Sequence, residues 1–397
     1  MKNKHGMTLI ELLIVLAIFG VVMAGLYSAY SVQLKTGIRE YRLGESEIEL
    51  QIAKSMIERD LGMAGFGLAD TYCDSPSANS TCVSNLICGT PLDICVPRAA
   101  SATNVTPDTL TLMGTALGRG SRAAQEWSYA IGTSPSAATD FKAWDDASYP
   151  TEVTKDIREN LKADSRIIYI EPNAKKFLVA DGNNGVTGRR WLFTFPPSDA
   201  STKPIPDNVE TGVLAIGLQS KPDPDSPSSP EYAAFPYYVV RYYLGGTPPK
   251  TCAPNTLNLL RAESITTQTP GGQPLLNCVL DFQVAFGLDT NDDKVIDCWD
   301  DGGITAAGYD DATFRKRIKQ IRVYALVQEG NRDADYMYSN PEDTANPAKI
   351  RVGDLLLTTT KCGGAGIVGH DYILSDEQRK YRWRVVTVSV APRNIRE

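Results

Sequence analysis

The apolar positions divide the chain into regions of different period. From Met7 to Tyr30 the residues are overwhelmingly apolar on every face, and Glu11 is the only charge among them. At about 1.5 Å of rise per residue this helix would be about 36 Å long, enough to cross a hydrocarbon layer of about 30 Å. From residue 31 onward the pattern turns amphipathic. Leu34, Ile38, Tyr41, Ile48, Ile52, Met56 and Ile57 recur at helical spacing, with Glu45 filling one gap, while Lys35, Arg39, Glu40, Glu47, Glu49, Lys54 and Glu58 take other faces. No proline intervenes before Pro76. The pattern predicts one helix from about Thr8 to Leu61, stopped by Gly62, Gly65 and Gly67, with its second half packed against a sheet.

Beyond the helix the period shortens to that of strands. Asp108 to Met113, Arg166 to Glu171, Lys176 to Ala180, Trp191 to Phe195 and Gly212 to Leu218 read as strands. So do Tyr237 to Leu244, Cys278 to Leu288, Ile321 to Gln328, Asp354 to Thr359 and Arg382 to Val390. Proline- and serine-rich stretches such as Ser220 to Pro230 can neither continue a strand nor bury a core, so they read as surface loops. The expected class is α+β: a long N-terminal helix on an antiparallel β-sheet body with large loop insertions. A division of the body near Pro222 to Pro230 stays open.

Charge narrows the function. Lys and Arg number 40 against 47 Asp and Glu, a formal charge of -7 that gives nucleic acid no general grip. With only two histidines, His5 and His370, imidazole catalysis and imidazole zinc sites are disfavoured. Lys2 and Lys4 precede the apolar run, so the positive-inside rule keeps the N-terminus cytoplasmic and sends the body across the membrane. A secretory cleavage after Ala24-Gly25 would remove the anchor, but it leaves the carboxylate at Glu11 unexplained.

Gly6, followed by Met7-Thr8-Leu9-Ile10-Glu11 and the apolar run, resembles the type IV prepilin signal. The resemblance implies a leader at residues 1–6, a transmembrane half-helix at 7–30, an amphipathic half-helix at 31–62 and an extracytoplasmic β-rich domain at 63–397. It also implies that a prepilin peptidase cuts between Gly6 and Met7 and that the new amino group is N-methylated. Met7 stands where the family most often has Phe. Glu11 would then neutralise the amino group of a neighbouring subunit within the membrane, so that neither charge is left alone in lipid.

The ending from Arg379 to Asn394, an arginine-rich strand closing near Arg393-Asn394, is similar to that of PilW-type minor pilins, and Phe286 to Asp289 and Ile318 to Val327 look like interior segments of that family. This likeness implies a non-enzymatic minor pilin that primes a type IV pilus or forms part of its tip. Before assembly it would be an inner-membrane single-pass protein; afterwards it would sit in the extracellular pilus. Implied partners are other minor pilins, the major pilin, the assembly platform and a PilY-type tip adhesin, and implied roles include adhesion and twitching motility. The alternatives are a type II secretion pseudopilin of the GspJ kind and a signal-anchored periplasmic enzyme or binding module.

Cys73, Cys82, Cys88, Cys95, Cys252, Cys278, Cys298 and Cys362 all fall on the extracytoplasmic side, where an even count reads as disulfides. Local pairs Cys73 with Cys82 and Cys88 with Cys95 would staple a loop poor in apolar residues; a four-thiolate zinc knot competes, although the close paired spacing of zinc sites is missing. The run from Asp289 to Asp300 spaces oxygens as a calcium loop does: Asp289, Asn291, Asp293, Asp297 and Asp300, with the Val295 carbonyl between. Lys294 replaces the usual glycine, and Asp300 is shorter than the usual Glu. Gly364 to Gly369 matches G-x-G-x-x-G but lacks a following βαβ unit, so it reads as a turn, and His370 beside it as a lone surface histidine. The aromatic stretch Tyr232, Phe235, Tyr237, Tyr238, Tyr242 and Tyr243 reads mostly as strand packing.

Overall fold

The computed structural model describes residues 9–69, 100–102, 107–118, 122–130, 138–144, 160–173, 175–178, 191–196, 212–222, 225, 231–266, 271–301, 315–354, 361–362 and 368–394. Helix α1 runs without a break over Leu9–Met63, 55 residues, about 82 Å at the usual rise. The expected C-terminal end at Leu61 is found to within two residues, and the helix is already formed at Leu9, the first described residue. Gly65 and Gly67 then turn the chain with φ of 81° and 67°, a region open mainly to glycine. At Gly67 a Cβ would also sit 2.3 Å from Thr115 Oγ1, so the helix exit is fixed twice over.

The two halves of α1 live in different surroundings. None of the described side chains from Leu9 to Ile38 is buried, and contact with the body tightens only in the last turns, where Ala53, Ile57, Asp60, Leu61 and then Ala64 are buried. The amphipathic stripe expected to face the sheet mostly does not. Ile38, Tyr41, Ile48 and Ile52 stay exposed, because one residue of offset turns a side chain about 100° around the axis and the sheet is met by the neighbouring line of Leu50, Ala53, Ile57 and Leu61.

In chain order the first strands are β1 (Ala100–Ala102), β2 (Leu110–Gly114), β3 (Trp127–Ala130), β4 (Arg166–Glu171), β5 (Lys176–Phe177), β6 (Phe193–Thr194) and β7 (Val213–Gln219). Then come β8 (Tyr238–Gly245), β9 (Leu257–Ser264), β10 (Gln273–Leu288), β11 (Cys298–Asp300) and β12 (Ile318–Glu329). The last are β13 (Lys349–Gly353), β14 (Gly369–Ile373) and β15 (Arg382–Val390). The main sheet has the order β1-β2-β8-β9-β10-β12-β15, with β11 attached to β10, and every pairing in it is antiparallel. A second sheet, β3-β7-β4-β5 with β6 on β4, is built between β2 and β8, which are themselves neighbours. It is therefore an excursion from the main sheet.

One core joins these layers. Ile168, Ile170, Ile216 and Leu218 of the second sheet meet Leu112, Val240, Tyr242 and Phe282 of the main sheet and Ala53, Ile57 and Leu61 of α1. Alternation sends Ile167, Tyr169, Val213 and Ala215 into a separate core with Phe141, Phe193 and Phe195. On the far side of the main sheet the β13–β14 hairpin packs Ile350 and Val352 against Ala285, Tyr324 and Leu326. Where both faces are buried, Val279–Leu288 of β10 is apolar except for Asp281 and Gln283, and Val323–Val327 of β12 is apolar throughout, which is why they were readable as strands.

Arg166–Glu171 and Arg382–Val390 coincide with the expected strands. The run expected from Cys278 begins earlier, at Gln273, because the ladder passes a register shift near Cys278, whose φ is 56°. Of Trp191 to Phe195 only Phe193 and Thr194 enter a ladder, and Asp354 lies just past β13, the rest of its expected strand being outside the described residues. Strands β1, β3, β9, β11, β13 and β14 were not expected. Each is short or carries charged and polar residues that blur a period of two.

Candidate assembly helix and its anchoring site

Within the exposed span Leu9–Ile38 an 18-residue window reaches a mean hydropathy of 2.7, and side chains such as Leu13, Leu16, Phe19, Val22 and Leu26 are more than half exposed. Left in water this surface would be costly; in lipid or against other apolar helices it is not. Glu11 lies in its first turn, exposed on the helix surface, while Gly6 and Met7 lie outside the described residues.

The other half is fixed to the body by a buried polar node. Asp60, a carboxylate between the apolar contacts Ile57 and Leu61, accepts from Tyr242 Oη at 2.6 Å and from Arg261 Nε at 2.7 Å through the same oxygen, Oδ2. Arg261 also donates to Glu263 Oε2 at 2.8 Å and to the Leu117 carbonyl at 3.1 Å. The Asp60 and Arg261 side chains are 3% and 10% exposed. Burial and then the Asp60 charge push the Tyr242 hydroxyl above its ordinary range. Burial works against the Arg261 charge, but Asp60 and Glu263 outweigh it and hold the guanidinium firmly protonated. Helix α1 and strands β8 and β9 are thereby bonded at one point. A lone Asp inside an apolar helical stripe and an Arg between Leu260 and Ala262 were the available sequence signals; nothing in the spacing pairs two residues 201 positions apart.

The arginine-rich ending adds lighter straps. Arg384 reaches Glu47 of α1 at 2.9 Å, and Asn394 Nδ2 donates to the Gly62 carbonyl at 3.1 Å. Arg382 pairs with Asp333 at 3.0 Å and lies 4.3 Å over the Tyr336 ring. The chain's last strand thus lies along the helix it helps to hold.

The acidic run forms the loop of the β10–β11 hairpin. Asp289 accepts the backbone N–H groups of Asp292 at 2.6 Å and Lys294 at 2.8 Å and lies 3.4 Å from Lys319 Nζ. Burial works to raise its pKa, but these donors prevail and hold the carboxyl below the usual range. The Thr290 hydroxyl and N–H, both at 2.7 Å, do the same for Asp297. Asn291 Oδ1 accepts from Asp293 N–H at 3.0 Å, and Asp293 Oδ1 from Val295 N–H at 2.8 Å. Lys294, at the glycine position, has φ of 71°. Asp300 does not belong to the loop. It pairs with Phe286 in the ladder, three residues and about 10 Å down the strand from Asp297, so it cannot close a twelve-residue calcium loop. Among the described residues no group of three or more His, Cys, Asp and Glu side chains is arranged to hold a metal ion.

Cys252 is bonded to Cys278, and Cys298 to Cys362; the second bridge ties the strand after the acidic loop to residue 362. Cys73, Cys82, Cys88 and Cys95 lie outside the described residues. Gly369, the last glycine of the G-x-G-x-x-G match, begins β14 opposite Gly353, with φ of 107°. His370 is not a lone surface histidine: its Nδ1 lies 3.0 Å from the buried carboxylate of Asp281. Phe235, Tyr237, Tyr238 and Tyr242 are buried, as strand packing requires.

Residues 1–27 match the prokaryotic N-terminal methylation motif, and residues 237–394 match the type IV pilus-assembly protein W family, PilW. The two matches make the chain similar to prepilins at its start and to PilW-type pilins over its C-terminal part. The PilW match runs from the start of β8 to Asn394 and takes in the disulfides, the acidic loop and the straps to α1; the second sheet lies outside both matches. No curated protein and no solved structure matches the chain. The prepilin motif together with the apolar helix supports membrane anchoring and pilus association, and pilin-family domains point to a structural and not an enzymatic protein.

Proposed function

We propose that this chain is a PilW-type minor pilin that is cut after Gly6, enters a type IV pilus through α1, and primes assembly or takes a place in the tip complex. The observation that carries the reading is the division of α1: an unburied apolar stretch that starts at Leu9 continues along one unbroken helix into turns welded to the body by Asp60 and Arg261. A pull on the anchor is therefore passed directly to the sheet. Cleavage would leave the new amino group four residues before Glu11, within reach of a neighbour's carboxylate, and each charge would then be neutralised where lipid makes isolation expensive. The second sheet adds bulk that suits the end of a helical shaft better than its repeating interior. The partners proposed are other minor pilins, the major pilin, the assembly platform and a PilY-type adhesin. N-terminal sequencing of the chain recovered from sheared pili tests the reading: it should begin at Met7, and an intact Met1 or a start after Gly25 would overturn it.

Calcium at the hairpin loop is a separate proposal. Its support is the oxygen spacing of Asp289, Asn291, Asp293 and Asp297 with the Val295 carbonyl, without Asp300. Calcium should raise the melting temperature of the full-length chain and lose that effect in Asp293→Ala; no shift in the unsubstituted chain would retire it.

A further inference from the structure

Past the apolar span, α1 carries a second apolar surface that the body leaves uncovered. Ile38, Tyr41, Ile48 and Ile52 are each more than half exposed, and at about 100° per residue they fall within one sector of the helix. Leu50, Ala53, Ile57 and Leu61, which meet the body, lie roughly 100° or more round the axis from the middle of that sector. Glu45 stands in the stripe between Tyr41 and Ile48. Glu49, one turn further on, falls between the stripe and the body.

Both carboxylates line a cavity of about 190 Å³, enclosed by α1, the β8–β9 connection, the first half of β10 and the end of β12. Buried Leu276 and Val327, with Pro249, give it apolar walls. Gln328, also in the wall, is fully engaged: its Oε1 accepts the Ala253 N–H at 2.6 Å, and its Nε2 donates to the Thr251 and Gly330 carbonyls at 3.1 and 2.6 Å. Glu49 accepts only a long bond from Asn277 Nδ2, at 3.4 Å, and has no cationic partner among the described residues.

These features select an occupant. The cavity is smaller than the roughly 300–1,000 Å³ of small-molecule sites, so it suits one long side chain better than a cofactor. Apolar walls that end in carboxylates fit a cation on an aliphatic stem, which is lysine or arginine. The uncovered stripe beside the cavity fits the apolar face of a helix. A second copy of the chain in the same register would set Glu45 and Glu49 against themselves. We propose that this part of α1 docks a helix of a different pilin subunit, whose Lys or Arg side chain enters the cavity and is held by Glu49 and Glu45. The stripe supplies contact area and the cavity supplies the choice of neighbour. This inference rests on the reading that the chain enters a pilus.

Photo-crosslinking on sheared pili tests it, with p-benzoylphenylalanine in place of Tyr41 and adducts mapped by mass spectrometry. The adduct should join α1 to the helix of another pilin, at a segment that carries Lys or Arg. Glu49→Lys should lower its yield on the order of tenfold, and Glu49→Gln about threefold. Glu58→Lys, beside Lys54 on another face of the helix, should leave it unchanged. Exchanging the partner's Lys or Arg for Glu should restore the adduct in Glu49→Lys, a result that a folding defect could not give. An adduct to a second copy, to the chain's own body or to lipid alone, or a yield indifferent to Glu49→Lys, would overturn this inference while the unsubstituted chain is still found in pili beginning at Met7. Absence of the unsubstituted chain from pili would overturn the pilus reading and this inference with it.

Discussion

Replacing Arg261 with methionine should strike the joint between anchor and body harder than any surface ion pair. Methionine keeps much of the side-chain volume but withdraws the guanidinium from Asp60, which is 3% exposed and keeps the Tyr242 hydroxyl on the same oxygen. Breaking a buried pair by removing one partner costs about 3–5 kcal/mol, because the other charge is left without compensation. Asp60→Asn should cost less, about 1–2 kcal/mol, since Arg261 retains Glu263 and the Leu117 carbonyl. The double variant should cost less than the sum of the two, as residues sharing one buried node do not act independently. Denaturant unfolding of the full-length chain in detergent, followed by tryptophan fluorescence, supplies the four free energies. A loss under about 1 kcal/mol for Arg261→Met, or strict additivity, would show that the node does not hold α1 to the sheet.

Other consequences are simpler to state. Arg384→Ala, whose contact with Glu47 joins two side chains that are each nearly half exposed, should cost no more than about 1 kcal/mol in the same assay; a larger loss would move the weight of the joint to the C-terminal strap. Asp108 has a folded-state pKa of about 7, raised from 3.8, so its favourable contribution is full below about pH 4 and is lost as pH rises through 7. Asp108→Asn should therefore flatten the pH dependence of stability, by no more than about 4 kcal/mol over that window; an unchanged profile would refute the assignment. Removing the Cys298–Cys362 bridge, which spans 64 residues, with paired serines should cost at most about 4 kcal/mol on the chain-entropy estimate. Peptide mapping without reduction should recover Cys252 with Cys278 and Cys298 with Cys362, and other pairings would contradict the fold around the acidic loop.

Features with a strong local period were legible in the sequence. The anchor needed only a count of apolar residues, and β10, β12 and β15 announced themselves through runs of Val, Ile, Leu and Phe. The face of α1 that meets the sheet was misjudged because a helical stripe shows which residues are apolar and not where the sheet begins; Ile48 and Ile52 look as core-like as Ile57 until the body is in place. Oxygen spacing suggested a twelve-residue loop, but the ladder ran through Asp300, and pairing of Phe286 with Asp300 cannot be read from spacing. Asp60 with Arg261 and Asp281 with His370 join residues far apart in the chain. Contacts of that kind depend on the strand order of the main sheet, which no local pattern encodes.

Recruitment of Glu11→Ala into pili tests the central claim most directly. Sheared fibres from cells expressing equal amounts of the variant and the unsubstituted chain would be compared by quantitative immunoblotting, with membrane levels as the control. On the proposed reading, loss of the carboxylate would leave a neighbour's amino group without its partner in the apolar interior, and recruitment should fall on the order of tenfold or more while membrane levels hold. Incorporation at the unsubstituted level would contradict the account.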